Sequence, residues 1–221
     1  MELFDVMRST FAARDYTGEE LTEEILYKII ENARFAPSGG NRQGNRIIII
    51  RNEDMRNELS RLAEPAAQRY GAQTNIGENP WNTIVPTQLT PDEIADTSPP
   101  KILTEPCRTA SVVLVFLVDL SLVASMDQNL DRIGVISGAS IYPFVWNVLL
   151  AARHEGFGGT ITTLAVANEP ELKKLLKVPD NFAICAIVPL GKPKKQLTRL
   201  RRRSVAEIAT LDVFDGKPFS F

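Results

Sequence analysis

Apolar residues recur at helical spacing three times in the N-terminal third of the chain. Leu3, Phe4, Met7 and Phe11 share one face of a helix predicted over Glu2–Arg14. Leu21, Ile25, Leu26, Ile29, Ile30 and Ala33 line a second helix. Thr22 is its N-cap, and Glu23 and Glu24 fall in the first turn, where carboxylates suit the helix dipole. Met55, Leu59, Leu62 and Ala66 mark a third, opened by Asn52 and expected to break or kink at Pro65. Continuous apolar runs at 46–51, 110–119, 157–164 and 182–190 predict four strands. The run ASVVLVFLVD is too apolar to be half exposed and is predicted central. Asn168 is expected to cap a short helix carrying Leu172, Leu175 and Leu176.

Two stretches depart from this rhythm. Residues 133–152 are twenty in a row without formal charge, close to the ~20 residues of a membrane span. Ser137, Ser140, Tyr142, Pro143 and Asn147 dilute the run. A helix buried on all sides, bent at Pro143, fits a soluble α/β pattern better. Residues 65–106 hold seven of the fourteen prolines and no convincing strand. Thr90-Pro91-Asp92-Glu93 signals one short helix through a capping box with proline in its first turn. The segment reads as a lid-like insertion over a site, or as irregular surface. The element order is α+β, without the strict βα alternation of a doubly wound fold.

Composition narrows the function classes. The chain of 221 residues is 44% hydrophobic and 24% charged, with a net charge of −2. That balance predicts a soluble, cytoplasmic protein with no general attraction to nucleic acid or to an acidic membrane. Cys107 and Cys185 are far apart and read as small core residues in a reducing compartment. His154 is the only histidine, so no His-rich metal set and no convincing triad is available.

The candidate chemistry lies between the second helix and the first strand, in ARFAPSGGNRQGNRIIII, residues 33–50. Pro37 should end the helix by Ala36, and Gly39-Gly40 permit a close backbone approach. Ser38, Asn41 and Gln43 offer fixed donors and acceptors to the edge of a heterocycle. The same residue types also make an ordinary helix-to-strand turn.

Pro37-Ser38-x-x-Asn41-x-Gln43 in this setting resembles the flavin loop of the nitroreductase family of FMN-dependent oxidoreductases. The family pattern continues with Pro-Trp, where this chain has Gly44-Asn45. Arg201-x-Arg203 matches the Lys/Arg-x-Arg pair that reaches the FMN phosphate in that family. The first-helix pattern Arg-Arg-Ser-x-Arg-x-Phe, laid without a gap, falls on Thr10 to Tyr16. Arg14 is then kept, while Thr10, Phe11 and Ala12 replace Arg-Arg-Ser. The GGTITT run resembles the family strand whose backbone amides face flavin N5 and O4, which brings in Thr162, Thr163 and Leu164. The FMN-binding positions implied by the resemblance are Thr10, Arg14, Pro37, Ser38, Gly39, Asn41, Gln43, Thr162, Thr163, Leu164, Arg201 and Arg203.

The resemblance implies a single FMN-binding domain over residues 1–221, with a central mixed β-sheet flanked by helices. It also implies a homodimer with flavin sites at the interface and a C-terminal tail crossing to the partner. Phe214, Pro218, Phe219 and Phe221 make that tail too apolar for a free end. The implied activity passes hydride from NADH or NADPH through flavin to a nitroaromatic, quinone or other flat acceptor, by a ping-pong mechanism. No catalytic side chain is required, because the flavin carries the chemistry. A flavin-storage or sensing protein, a reductive dehalogenase and a flavin-degrading enzyme remain open alternatives at this stage.

Overall fold

The computed structural model describes residues 1–220, so Phe221 lies outside the described residues. In chain order the elements are α1 (Leu3–Ser9), α2 (Glu23–Ala33), β1 (Asn45–Ile50), α3 (Glu53–Asn75), α4 (Pro91–Ala95) and α5 (Lys101–Thr109). There follow β2 (Val112–Asp119), α6 (Tyr142–His154), β3 (Gly158–Gly159), α7 (Glu169–Leu176), β4 (Phe182–Gly191) and α8 (Val205–Ile208).

β2 organises the packing. Val112, Leu114 and Phe116 face α2 and α6, meeting Ile29, Val145, Val148 and Leu149. Val113, Val115 and Leu117 face α3, α7 and the turn before α7, meeting Leu59, Leu62, Ala165 and Leu172. Both faces of the strand are covered, which is why its sequence is apolar throughout and its position central. The sheet order is β1-β2-β4-β3. Every named pairing is antiparallel. The expected mixed sheet is corrected accordingly: among the described residues its parallel component is one bridge, Ala12 to Gly159. β1 is an edge strand rather than a fully buried one, and Ile49 is 48% exposed.

Local capping was legible. Thr22 Oγ1 accepts from Ile25 N, Asn52 Oδ1 accepts from Met55 N, and Thr90 with Glu93 closes a reciprocal capping box. Asn168 precedes α7 but caps nothing, because its Nδ2 donates to the Leu62 carbonyl across the layer, at 2.8 Å.

Four elements differ in extent from the sequence reading. α1 stops at Ser9, and the face predicted to be inner is outside: Leu3, Phe4 and Met7 are exposed while Val6 and Ser9 are buried. The Thr10 hydroxyl bonds back to the Val6 carbonyl, and Arg153 and Gln196 bind Ser9. The chain then leaves the helix so that Ala13 N can donate to Gly159 O. α3 continues through Pro65 to Asn75 rather than breaking, so the first part of the proline-rich segment is helical. The uncharged run 133–152 is not one helix. Ile136–Ser140 is a separate 3₁₀ turn, and Pro143 sits in the first turn of α6, starting that helix instead of bending it. No helix among the described residues is long and apolar enough to cross a membrane. The third strand shrinks to Gly158–Gly159, joined by a bridge from Thr162 to Ile187. A Cβ at Gly159 would run into the Pro189 carbonyl, so only glycine lets the strands approach this closely.

Candidate cofactor site

The predicted positions fall into separate groups. The first gathers on the α3 side of the sheet. Arg14 lines a cleft of about 160 Å³ together with Thr160 to Leu164, walled by Tyr70, Leu103 and Pro106. Arg14 is placed by the segment around it. The Tyr16 hydroxyl, buried, lies 2.8 Å from Ala13 O and 3.0 Å from Pro189 O. Thr17 N donates to Lys192 O. Among the described residues the Arg14 side chain makes one hydrogen-bond contact, to Ala12 O at 3.4 Å.

The strand side of the cleft is built from backbone. Thr162 exchanges both of its backbone hydrogen bonds with Ile187, at 2.9 Å each. One residue on, the chain turns into a 3₁₀ segment, Leu164–Asn168. At that change of direction the Thr163 N–H has no acceptor among the described residues. A backbone amide without an acceptor and a guanidinium lining the same cleft offer donors to an electron-rich ring edge and to an anion.

The second group lies on the α2/α6 side, at the head of β1. Ser38 and Gln43 line a cavity of about 130 Å³ with Arg34, Ala36, Asn45 and Phe144. The loop folds tightly on itself. Gly40, Asn41 and Gln43 all take positive φ, near 60°, 53° and 51°. Ser38 Oγ accepts from Gln43 N at 3.0 Å, and Asn41 N donates to Ser38 O. Ser140 clamps the loop from outside: its Oγ accepts from Gly39 N at 3.0 Å and its carbonyl accepts from Asn45 Nδ2 at 3.2 Å. A Cβ at Gly44, where the resembled pattern has proline, would meet Leu122 Cβ at 3.1 Å. Pro37, Gly39 and Asn41 are exposed.

The two groups do not meet within one chain. The loop belongs to the β1 edge, and Thr162 pairs beyond β4. Three inter-strand steps separate them, about 14 Å, and they open toward different helical layers. The remaining positions join neither. Thr10 is buried at the end of α1 with its hydroxyl committed to Val6. Phe11 packs into the α3-side core. Arg201 and Arg203 are exposed on the strand-free chain after β4 and line neither cavity. Cys107 and Cys185 are buried and free, and burial pushes both thiols up to about 12, so neither is a nucleophile at neutral pH.

Sequence reasoning missed Tyr70, Leu103, Pro106 and Ser140. Their places depend on α3 running through Pro65 and on the 3₁₀ turn before α6, which no local pattern announced.

Comparison with known proteins follows the same lines. An iodotyrosine deiodinase of Nematostella vectensis is 24% identical over 212 residues, covering 95% of this chain and 75% of that protein. A putative NADH dehydrogenase/NAD(P)H nitroreductase of Archaeoglobus fulgidus is 25% identical over 195 residues, covering 83% and 80%. An oxidized iodotyrosine deiodinase bound to FMN and 3-iodo-L-tyrosine superposes with a TM-score of 0.68 at 22% identity, covering 96% of this chain and all of that one. The NADPH:FMN oxidoreductase of Vibrio harveyi, complexed with NAD+, gives 0.67 at 18% identity, covering 96% and 78%. These likenesses show a shared fold. Residues 7–192 match the model of the Nitroreductase family, and the chain belongs to that family.

Proposed function

We propose that this protein is an FMN-dependent oxidoreductase whose cofactor site is completed by a second copy of the chain. The observation that carries the reading is the cleft lined both by Arg14 and by Thr163, whose N–H has no acceptor among the described residues. The donor set fits FMN: a guanidinium for the phosphate and an amide for the ring edge. At about 160 Å³ the cleft is too small for a whole ligand of that size. The loop bearing Ser38, Asn41 and Gln43 supplies the missing polar groups from the partner copy, since its own copy of the cleft lies across the sheet. Arg201 and Arg203 add positive charge for the phosphate.

FMN held by Arg14, the Thr163 amide and the partner copy's loop would supply hydride-transfer chemistry between NADH or NADPH and a flat acceptor, a quinone or nitroaromatic, in a ping-pong scheme. The chain binds and orients: Arg14 neutralises phosphate, the Thr163 amide holds the reacting ring edge, and the α3–α5 connection forms a lid that keeps water out.

Assembly rests on three exposed apolar features. Leu3, Phe4 and Met7 point outward from α1, β1 has an open edge, and the C-terminal segment carries Ile208, Val213 and a 99% exposed Phe214. A self-complementary interface covers such surfaces and typically exceeds ~2,000 Å² in obligate dimers.

The test is direct. Denatured protein should release about one FMN per chain, and NAD(P)H should bleach the bound flavin. A colourless protein that takes up no added FMN would sink the proposal. The runner-up reading, reductive dehalogenation, is favoured by the deiodinase relatives. Iodide release from 3-iodo-L-tyrosine under the same reduced conditions would select it.

A further inference from the structure

Among the described residues between Asp119 and Ser140 one is buried, and it is an acid: Asp127, 3% exposed. The apolar side chains of the same segment point outward, Met126, Leu130, Ile133 and Val135 among them. Hydrophobic burial therefore does little to hold this segment. A buried carboxylate is itself costly unless donors surround it.

Asp127 has those donors. Its Oδ2 accepts from Val135 N at 2.7 Å, from Ile136 N at 3.3 Å and from the Arg132 guanidinium at 2.8 Å. Its Oδ1 accepts from the Ser125 hydroxyl at 3.1 Å. The two amides lie too far along the chain for a local aspartate turn, which bonds two residues on. The Val135 amide, and then Arg132, hold the carboxyl well below the usual carboxylate range, so it stays ionised at neutral pH. Arg132 also donates to the Ile133 carbonyl at 2.8 Å, which closes the loop on itself.

The amides that Asp127 binds open the 3₁₀ turn Ile136–Ser140. From there the bonds run in series. Gly138 N donates to Val135 O at 3.2 Å, and Ile141 N donates to Gly138 O at 3.1 Å. The Tyr142 hydroxyl donates to Cys185 O at 3.3 Å and ties the far end to β4. Ser140, at the end of the turn, is the residue that clamps the Pro37–Gln43 loop, through Gly39 N and Asn45 Nδ2. Asp127 itself lines neither the cleft nor the loop cavity.

Building on the flavin reading above, we infer that Asp127 is a positioning residue for the cofactor: by seating Val135 N and Ile136 N it fixes the turn that carries Ser140, and through Ser140 it sets the conformation of the Pro37–Gln43 loop.

The experiment is a double-mutant cycle with Ser140, read by FMN titration and by amide hydrogen exchange at Gly39. Asp127→Ala should lower FMN affinity between about five- and twenty-five-fold, because both Ser140 contacts loosen and each is worth about fivefold. Ser140→Ala should then add less than about twofold, against about fivefold in the parent. Gly39 N should exchange faster in Asp127→Ala while the β2 amides keep the parent's protection, whereas general destabilisation would speed both. Asp127→Asn keeps an oxygen for the two amides and should stay within about threefold of the parent. If Asp127→Ala does not fold, Asp127→Glu takes its place in the cycle, since it keeps the charge but carries the carboxylate out of register with the two amides. A full fivefold effect of Ser140→Ala in the Asp127 variant would overturn the inference. So would Gly39 exchange at the parent's rate, or Asp127→Asn no better than Asp127→Ala. FMN uptake by the parent separates the two levels: with it intact, any of these results removes this inference alone, whereas a parent that binds no FMN removes both readings.

Discussion

The two half-sites are built on different principles. The loop Pro37–Gln43 is rich in side-chain donors, yet it spends most of its bonds on itself and on Ser140. The cleft at Thr160–Leu164 builds its strand side from backbone, and among the described residues it leaves the Thr163 amide without an acceptor and gives the Arg14 guanidinium a single 3.4 Å contact. One region has its shape fixed and its outward groups exposed; the other has its groups aimed and its volume incomplete. In the function proposed above each is a fragment of one binding site, and the sheet between them keeps the two apart within one chain.

The prediction with the largest effect breaks the link between the halves. Deleting residues 212–221 removes Val213 and Phe214, both exposed in the single chain. Dimerisation and FMN binding should be lost together, read by sedimentation and flavin absorbance. A truncated protein that stays dimeric and yellow would remove the tail from the account.

Next is Arg14→Ala, which strikes the cleft alone. A charge-assisted hydrogen bond contributes ~1.5–3 kcal/mol, so FMN affinity should fall about 10- to 150-fold. Arg202→Ala, whose exposed side chain bonds the neighbouring Arg201 carbonyl, should change it little. Equal losses would show that the cleft does not hold the phosphate.

Ser140→Ala sharpens the other half. It frees Gly39 N from its 3.0 Å partner while leaving every implied flavin-binding residue unsubstituted. One neutral hydrogen bond is worth ~1 kcal/mol, so FMN affinity should drop about fivefold. An unchanged flavin titration would mean the loop needs no external clamp.

The smallest effect concerns the lid. The Gln88 amide, with the Thr87 hydroxyl and the Gln73 side chain, holds Glu78 below the usual carboxylate range. A lowered folded-state pKa contributes stability above the ordinary carboxylate range and loses it as pH falls through the folded value. Acidification below about pH 4 should therefore loosen the Trp81 segment, and Glu78→Gln should loosen it at every pH. Trp81 fluorescence in the Trp146→Phe background, where Trp81 is the sole tryptophan, reports this, and a Glu78→Gln protein with the parent's signal at neutral pH would contradict it.

Legibility followed how local each determinant is. β2 was readable because both of its faces are covered, which leaves no polar position to blur the run. The caps at Thr22, Asn52 and Thr90 were readable because the partner amides lie three residues on. The end of α1 was not, since Arg153, Gln196 and Gly159 decide it from far along the chain. The same holds for the site. Arg14 and Thr162–Leu164 were marked by pattern and do come together. Tyr70 and Trp81 carry no motif, and their place beside those residues depends on α3 surviving Pro65 and on buried Gln73 holding a strained backbone.

The central claim, that one flavin is held by halves from two chains, is tested most directly by mixing two disabled proteins. Arg14→Glu and Ser38→Glu chains should each fail to bind FMN tightly. Unfolded together and refolded as a mixture, they form mixed dimers in which one site collects both lesions and the other has none. The account predicts tight FMN binding restored at about a quarter of all sites, the share expected from random pairing in a twofold dimer. No recovery, with mixed dimers verified by mass, would place both halves of each site on the same chain and contradict it.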